Sequence, residues 1–479
     1  MNVLDKLNES GGNTNQSVSR VMANWVNDLS FDDIPQNIIL QTKFRILDIV
    51  GAMLGGSNIE LVEQVKQATC FKKSNNELIT IPGCIESSDL QGATILMGTM
   101  GCVLEYDDSH LSTGIHASTP IVSTSIALGQ HLGSSGKELI KAVLIGNELT
   151  CRLGIGAPGA FHRIGFHPTA VLSTFGSCYS AAALMNLPVE LIVNAIGICG
   201  SFSSGIMASW QDGTSAKSLH AGWSGAAGLS ASQFASHGIS GPEEAYEGRF
   251  GFYKTHIQDK NYVIDYKSVL NDLGNHWEVL NIVPRAYPCG HYIQPYIAAS
   301  LEIANSNDLN INDILEVKCL VPDYWVPLIC EPREEKIKPT TPWHARYSMQ
   351  FCVATSLIDK HFDKNSLSLI SLSNKSILEL TNKVVYSVDS AAVDRNRWSG
   401  EVIITLKDGK IIKHRVDDLL GTPQNPMSKE DLINKFIKNA SGVIEIDRAY
   451  EFIENISNLE LMTNVREIFN PFKKGQHYA

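Results

Sequence analysis

Ser218-Leu219-His220-Ala221-Gly222-Trp223-Ser224-Gly225-Ala226-Ala227-Gly228-Leu229 opens a stretch, 218–237, that reads as a helix crowded with Gly, Ala and Ser. Small residues weaken an isolated helix. They also let helix backbones approach closely, so this segment belongs at the buried centre of a bundle. Similar stretches run from Leu90 to Leu104, Pro120 to His131, Gly136 to Leu153, Thr169 to Met185 and Val189 to Cys199. Nearer the N-terminus, Leu40, Phe44, Leu47 and Leu54 share one helical face, after a start marked by Asp33 and Pro35. The first 280 or so residues therefore read as helix after helix.

The texture changes near Pro284. Ile314 to Val321 and Lys383 to Val388 have strand character. Glu401 to Leu406 and Lys410 to Val416 flank Asp408-Gly409, a strong hairpin signal. Helices resume at Ser428-Lys429-Glu430-Asp431, a capping-box pattern opening an amphipathic run through Phe436 and Ile437. A last helical pattern covers Ala449 to Phe469 and is expected to return to the first domain. The predicted class is mainly α. Residues 1–283 and 427–479 make a large all-helical domain, and 284–426 form a smaller inserted α+β domain.

The chain has 479 residues and a net charge of -11. That acidic balance argues against a nucleic-acid partner, which needs a basic face. No polybasic run suggests a membrane surface, and no apolar run of roughly 20 residues is free of polar or glycine interruptions. An anionic small substrate remains compatible, because a few cations in a pocket outweigh a distant negative surface. Met1 to Ser19 is polar and lacks the pattern of a signal peptide. The ten cysteines, Cys70, Cys84, Cys102, Cys151, Cys178, Cys199, Cys289, Cys319, Cys330 and Cys352, contain no CxxC pair. They read as buried thiols of a cytoplasmic protein, with no zinc or iron–sulfur spacing.

Four constellations can carry chemistry. Glu105-Tyr106-Asp107-Asp108-Ser109-His110, followed by His116, gathers three carboxylates and two imidazoles in a loop between helices. Burying them without a task is costly. The ligand types suit magnesium or manganese. They equally suit acid/base work by a tuned His, or aspartates that cap the next helix. In Gly165-Phe166-His167-Pro168-Thr169, Pro168 fits a first helical turn, placing His167 at a helix entrance. The positive end of that helix favours neutral imidazole and attracts carboxylate, though a cap histidine can be purely structural. Lys217 stands just ahead of the small-residue helix. If buried it needs an anionic partner; otherwise it is a solvated loop residue. Arg285, in Pro284-Arg285-Ala286-Tyr287-Pro288-Cys289-Gly290-His291, lies at the domain junction and can hold a carboxylate bidentately. No Walker A motif, no GxGxxG after a strand and no GxSxG elbow is present.

Taken in order, these pieces resemble the MmgE/PrpD family, which includes 2-methylcitrate dehydratase, cis-aconitate decarboxylase and iminodisuccinate epimerase. The matching pieces are the acidic loop with its following His, Gly165 to Val171, Lys217 within Ala-Lys-Ser-Leu-His-Ala-Gly, Tyr287-Pro288-Cys289, and Ser240-Gly241-Pro242 with Gly248 to Phe252. Ala345-Arg346-Tyr347-Ser348-Met349-Gln350-Phe351 also resembles a segment of the cis-aconitate decarboxylases. The resemblance spans about residues 20 to 470. It implies a helical domain built from both chain ends, an inserted α+β lid, an active site between them and a homodimer. It places site residues at Glu105, Ser109, His116, His167, Lys217 and Arg285, with Tyr324 in a region where some relatives supply a tyrosine. Glu105 and Arg285 stand where the family commonly has Asp and Lys.

The activity this implies is that of a lyase on a small di- or tricarboxylate, without cofactor or metal, most like a decarboxylase or dehydratase. An epimerase on the same fold is the alternative, followed by a metal-dependent lyase and a carboxylate sensor. Each family reaction builds charge on carbon beside a carboxylate or imine, which preorganised cations and donors stabilise. In this reading Lys217 and Arg285 clamp carboxylates and His116 and His167 move the proton. Glu105 and Asp107 orient and tune them, with Ser109 and Tyr324 contacting substrate.

Overall fold

The computed structural model describes residues 16–69, 79–390 and 397–472. Cys70 and the polar N-terminal stretch up to residue 15 lie outside the described residues. The chain is mainly α, with 59% helix against 9% strand among the described residues. It divides into two compact units: Met1–Val103, Asp107–Val283 and Ser428–Ala479 form one, and Leu104–Tyr106 with Pro284–Met427 form the other.

In the first unit, helix His220–Ser236 packs on helices Pro168–Leu184, Leu90–Cys102, Val189–Phe202 and Ser118–Leu132. Its glycines make this possible. A Cβ on Gly222 would overlap the Ile95 carbonyl, and one on Gly228 would overlap the Thr174 carbonyl. Helix Gly136–Ile155 packs on Pro168–Leu184 and begins with a capping box, Ser135 with Glu138. The C-terminal segment adds helix Lys429–Ala440, opened by the expected box of Ser428 with Asp431. Phe436 seats against Gly51 of helix Gln36–Gly56, and Lys435 pairs with buried Asp48 at 2.7 Å.

Three sequence expectations need correction in this unit. Leu40 is 43% exposed, because the packed face of Gln36–Gly56 centres on Ile39, Ile46 and Met53. That face lies about 100° round the helix from Leu40. The expected helix from Ala449 to Phe469 ends at Ser457, followed by two 3-10 turns, Leu459–Leu461 and Glu467–Phe472. Its backbone is diverted there: Met462 O accepts from Gly136 N–H, and Val465 N–H donates to Ser134 O. The unit is also not all helix. Ile79–Thr80 pairs with Ser87–Ser88, and Ser109–His110 pairs with Ile282–Val283, both antiparallel.

The second unit holds a four-stranded sheet in the order Val384–Val388, Ile314–Val321, Gly400–Leu406, Ile411–Val416. The first pair is parallel and the others antiparallel. The hairpin turns at Asp408-Gly409, where Gly409 takes φ +86°. Helices Gln294–Ser306, Met349–Asp359 and Lys375–Lys383 accompany the sheet. Nine of the ten cysteines are among the described residues; all are buried, and none forms a disulfide with another of them. Among the described residues, no helix is long and apolar enough to cross a membrane.

The close helix contacts yield a paired test. Gly222→Ala forces backbone apart and is expected to cost about 1–3 kcal/mol. Gly200→Ala, in helix Val189–Phe202 with nothing within 4 Å of the added carbon, should stabilise by up to about 1 kcal/mol. Urea unfolding midpoints check both; equal shifts would refute the packing account.

Candidate active site

Helix Pro168–Leu184 starts as its sequence suggests, with Pro168 in the first turn and His167 as the N-cap. His167 N–H donates to Gly205 O at 2.9 Å, and Phe166 bridges Ile206. Gly205 takes φ +132°, and a Cβ there would overlap Ala170. Only glycine closes this turn without strain.

Opposite His167 stands His220, the first residue of the small-residue helix. Their Nδ1 atoms are 3.1 Å apart. One nitrogen must donate and the other accept, so the pair holds a single proton between these atoms. The His116 ring lies 6.0 Å from the His167 ring, centre to centre. His116 N–H donates to Thr169 Oγ1 at 3.0 Å, tying its loop to the His167 helix. Its Nδ1 is 2.9 Å from Asp108 O and 2.9 Å from Ser109 Oγ. A carbonyl only accepts, so Nδ1 carries a proton.

Burial and electrostatics keep His167 and His220 neutral. Burial, then the Lys217 ammonium and the neighbouring imidazoles, holds His167 well below the usual histidine value. Burial and Lys217 bring His220 down to about 4. Lys217 is only 3% exposed, in the short turn Ser215–Leu219 that Cys102 Sγ secures by a contact to Ser218 O. A solvated Lys is thereby ruled out.

The acidic loop disperses. Asp107 accepts from Thr119 Oγ1 at 3.0 Å, on helix Ser118–Leu132. Asp108 accepts from Ser118 N–H at 3.2 Å; burial pushes its carboxyl up to about 6, with Arg45 opposing. His110 turns away from His116, contacting Thr113 Oγ1 and Glu278 Oε2. Burial would raise the Glu278 carboxyl, but its hydrogen bonds from His110 and Asn281 bring it down to about 2. Among the described residues, no group of three or more His, Cys, Asp or Glu side chains could hold a metal ion.

The remaining expected residues belong to the second unit. Glu105, at φ +52°, accepts from Arg285 Nη1 at 2.9 Å, and both side chains are buried. Tyr324 lies in the turn Asp323–Trp325, its ring edge-on to Trp325. Tyr292, stacked on Trp325, senses both Tyr324 and Arg285. The structure thus brings together Ser109, His116, His167 and Lys217 in one unit and Glu105 with Arg285 in the other. His220 was not singled out from sequence. Its place three residues after Lys217, one helical turn on, was the available signal.

Residues 20–265 match the MmgE/PrpD N-terminal domain and residues 287–461 the MmgE/PrpD C-terminal domain, so the chain belongs to the MmgE/PrpD family. It is similar to a cis-aconitate decarboxylase of Aspergillus terreus, 23% identical over 477 residues, covering 95% of each chain. It is also similar to the cis-aconitate decarboxylase of Homo sapiens, 25% identical over 467 residues, covering 93% of this chain and 92% of the relative. A cis-aconitate decarboxylase-like protein of Aspergillus oryzae is 23% identical over 479 residues, covering 94% and 96%.

The depressed histidines make a stability prediction. The unfolded chain takes up protons near pH 6.5 that folded His167 and His220 refuse. Their contribution is complete above that pH and is lost as pH falls, for His220 down to about 4. Asp108 works oppositely, gaining stability as pH falls through 6 towards its ordinary 3.8. The comparison must therefore be between parent and His167→Gln. The variant's unfolding midpoint should fall less between pH 7 and pH 5; an equal fall would contradict burial of a neutral His167.

Proposed function

We propose that this protein is a lyase acting on a small di- or tricarboxylate, with decarboxylation of cis-aconitate as its leading reaction and no cofactor required. The observation that carries this reading is the single-proton contact between His167 and His220, with His116 alongside and Lys217 buried next to them. The names of the relatives support the substrate choice.

The charge logic follows from the geometry. Burial first, and the Lys217 ammonium second, hold the His167 and His220 imidazoles neutral. A substrate carboxylate beside Lys217 cancels that repulsion and favours imidazolium. Loss of CO2 leaves its bonding electron pair on the substrate carbon skeleton. His167 delivers a proton to that carbanion, and His220 relays the replacement through the shared Nδ1 contact. His116, fixed by Asp108 O, is the second proton-transfer group. Arg285, already paired with Glu105, is a further cation offered to substrate carboxylate.

Proton NMR in deuterated buffer tests this reading. With cis-aconitate, itaconate carrying solvent deuterium is expected; conversion only of 2-methylcitrate or iminodisuccinate would reassign the reaction to dehydration or epimerisation. His167→Gln should lower kcat by about a hundredfold or more. A change within about threefold would remove His167 from the proton path.

A further inference from the structure

Two residues outside the roles assigned above bear on the loop that carries His116. Ser109 Oγ and His116 Nδ1 meet at 2.9 Å although they lie seven positions apart in the chain. The loop between them closes on itself. His110 N–H donates to Ile115 O at 2.7 Å, and Gly114 N–H donates to His110 O at 2.9 Å, with Gly114 at φ +68°. His110 therefore stands at the neck of the loop, and its ring is buried. On the loop side its Nδ1 meets Thr113 Oγ1 at 2.9 Å. On the other side its Nε2 donates to Glu278 Oε2 at 3.0 Å, because an ionised carboxylate only accepts.

Glu278 is itself held. Its backbone N–H donates to Glu148 Oε2 at 2.7 Å, and Glu148 Oε1 accepts from Arg152 Nε at 2.6 Å, both on helix Gly136–Ile155. Asn281 Nδ2 donates to Glu278 Oε2 at 2.9 Å, while Asn281 O accepts from Leu111 N–H at 2.9 Å. Ile282 and Val283 then pair with His110 and Ser109. Segment 278–283 thus grips the loop by side chain and by backbone, within the first unit. A buried polar pair adds little net stability, because desolvation offsets much of its attraction. A buried network with its hydrogen bonds made fixes geometry instead. The geometry fixed here is the neck between Ser109 and His116.

We propose that Glu278 is a positioning residue: through His110 it keeps the 109–116 loop closed, so that His116 Nδ1 stays on Asp108 O and Ser109 Oγ and the ring stays beside His167. It touches no substrate. Its weight in turnover rests on the proposed function, whereas its hold on the His116 ring does not.

The test combines nitrogen-15 NMR of histidine-labelled, full-length protein with steady-state kinetics on cis-aconitate. The variants are Glu278→Ala, Glu278→Gln and, as control, His276→Gln, which removes an exposed ring 3.1 Å from Glu278 Oε1. Glu278→Ala takes away the acceptor of His110 Nε2. Its kcat should fall about tenfold to a hundredfold, the loss that a misplaced group brings, with KM within about threefold. Its His116 Nδ1 signal should leave the protonated position it holds in the parent. Glu278→Gln keeps an acceptor oxygen, so it should retain most of the turnover and the parental signal. His276→Gln should match the parent in both. A Glu278→Ala protein that melts lower yet keeps the parental kcat and His116 signal would show a purely structural residue and overturn the proposal. So would a Glu278→Gln protein as impaired as Glu278→Ala. If Glu278→Ala does not fold, Thr113→Val removes the other partner of the His110 ring. It should move the same signal and lower kcat severalfold, and no change in either would also overturn the proposal. A parent that turns over no cis-aconitate would defeat the proposed reaction, while the His116 signal, which needs no substrate, still decides the role of Glu278.

Discussion

The 3.1 Å separation of His167 Nδ1 and His220 Nδ1 allows one proton between those atoms. Two protons would set like charges and two N–H groups against each other in a dry site. Much of the first unit serves to hold that contact. The N-cap position fixes the His167 backbone, and Gly205, lacking a side chain, lets its backbone lie close to Ala170 and the His220 ring. The start of helix His220–Ser236 fixes the other ring. That helix sits deep because Gly222 and Gly228 let it approach its neighbours' backbones. The small residues that weaken the helix in isolation are what place its first residue.

Lys217 gives the pair a state that responds to ligand. A buried ammonium next to imidazoles raises the cost of charging them, and an anion reverses that cost. Fixed charges in a water-poor site act strongly because little solvent rearranges around them. In the second unit, the same physics governs the buried ion pair of Glu105 with Arg285.

Much of this was legible in the residues. Crowded Gly, Ala and Ser indicated helices at a bundle centre, and Asp408-Gly409 marked its hairpin. His167 followed by Pro168 gave both the cap and its place in the helix. What failed depended on tertiary contacts. Leu40 satisfied the helical period but not the direction of the packed face. The break after Ser457 comes from hydrogen bonds to Ser134 and Gly136, more than 300 residues earlier in the chain. The acidic loop looked like one cluster, yet its close spacing in the sequence hid the separate partners of Asp107, Asp108 and His110. His220 was visible as a letter, but only folding reveals the ring opposite it.

The central claim is that His167 and His220 stay neutral and share a proton until an anion arrives. Nitrogen-15 NMR of histidine-labelled protein at pH 7, assigned with His167→Gln and His220→Gln, measures this directly. The account predicts neutral-ring shifts for both, moving towards imidazolium when a non-reacting tricarboxylate is added. Imidazolium shifts for both rings in the ligand-free protein would contradict it.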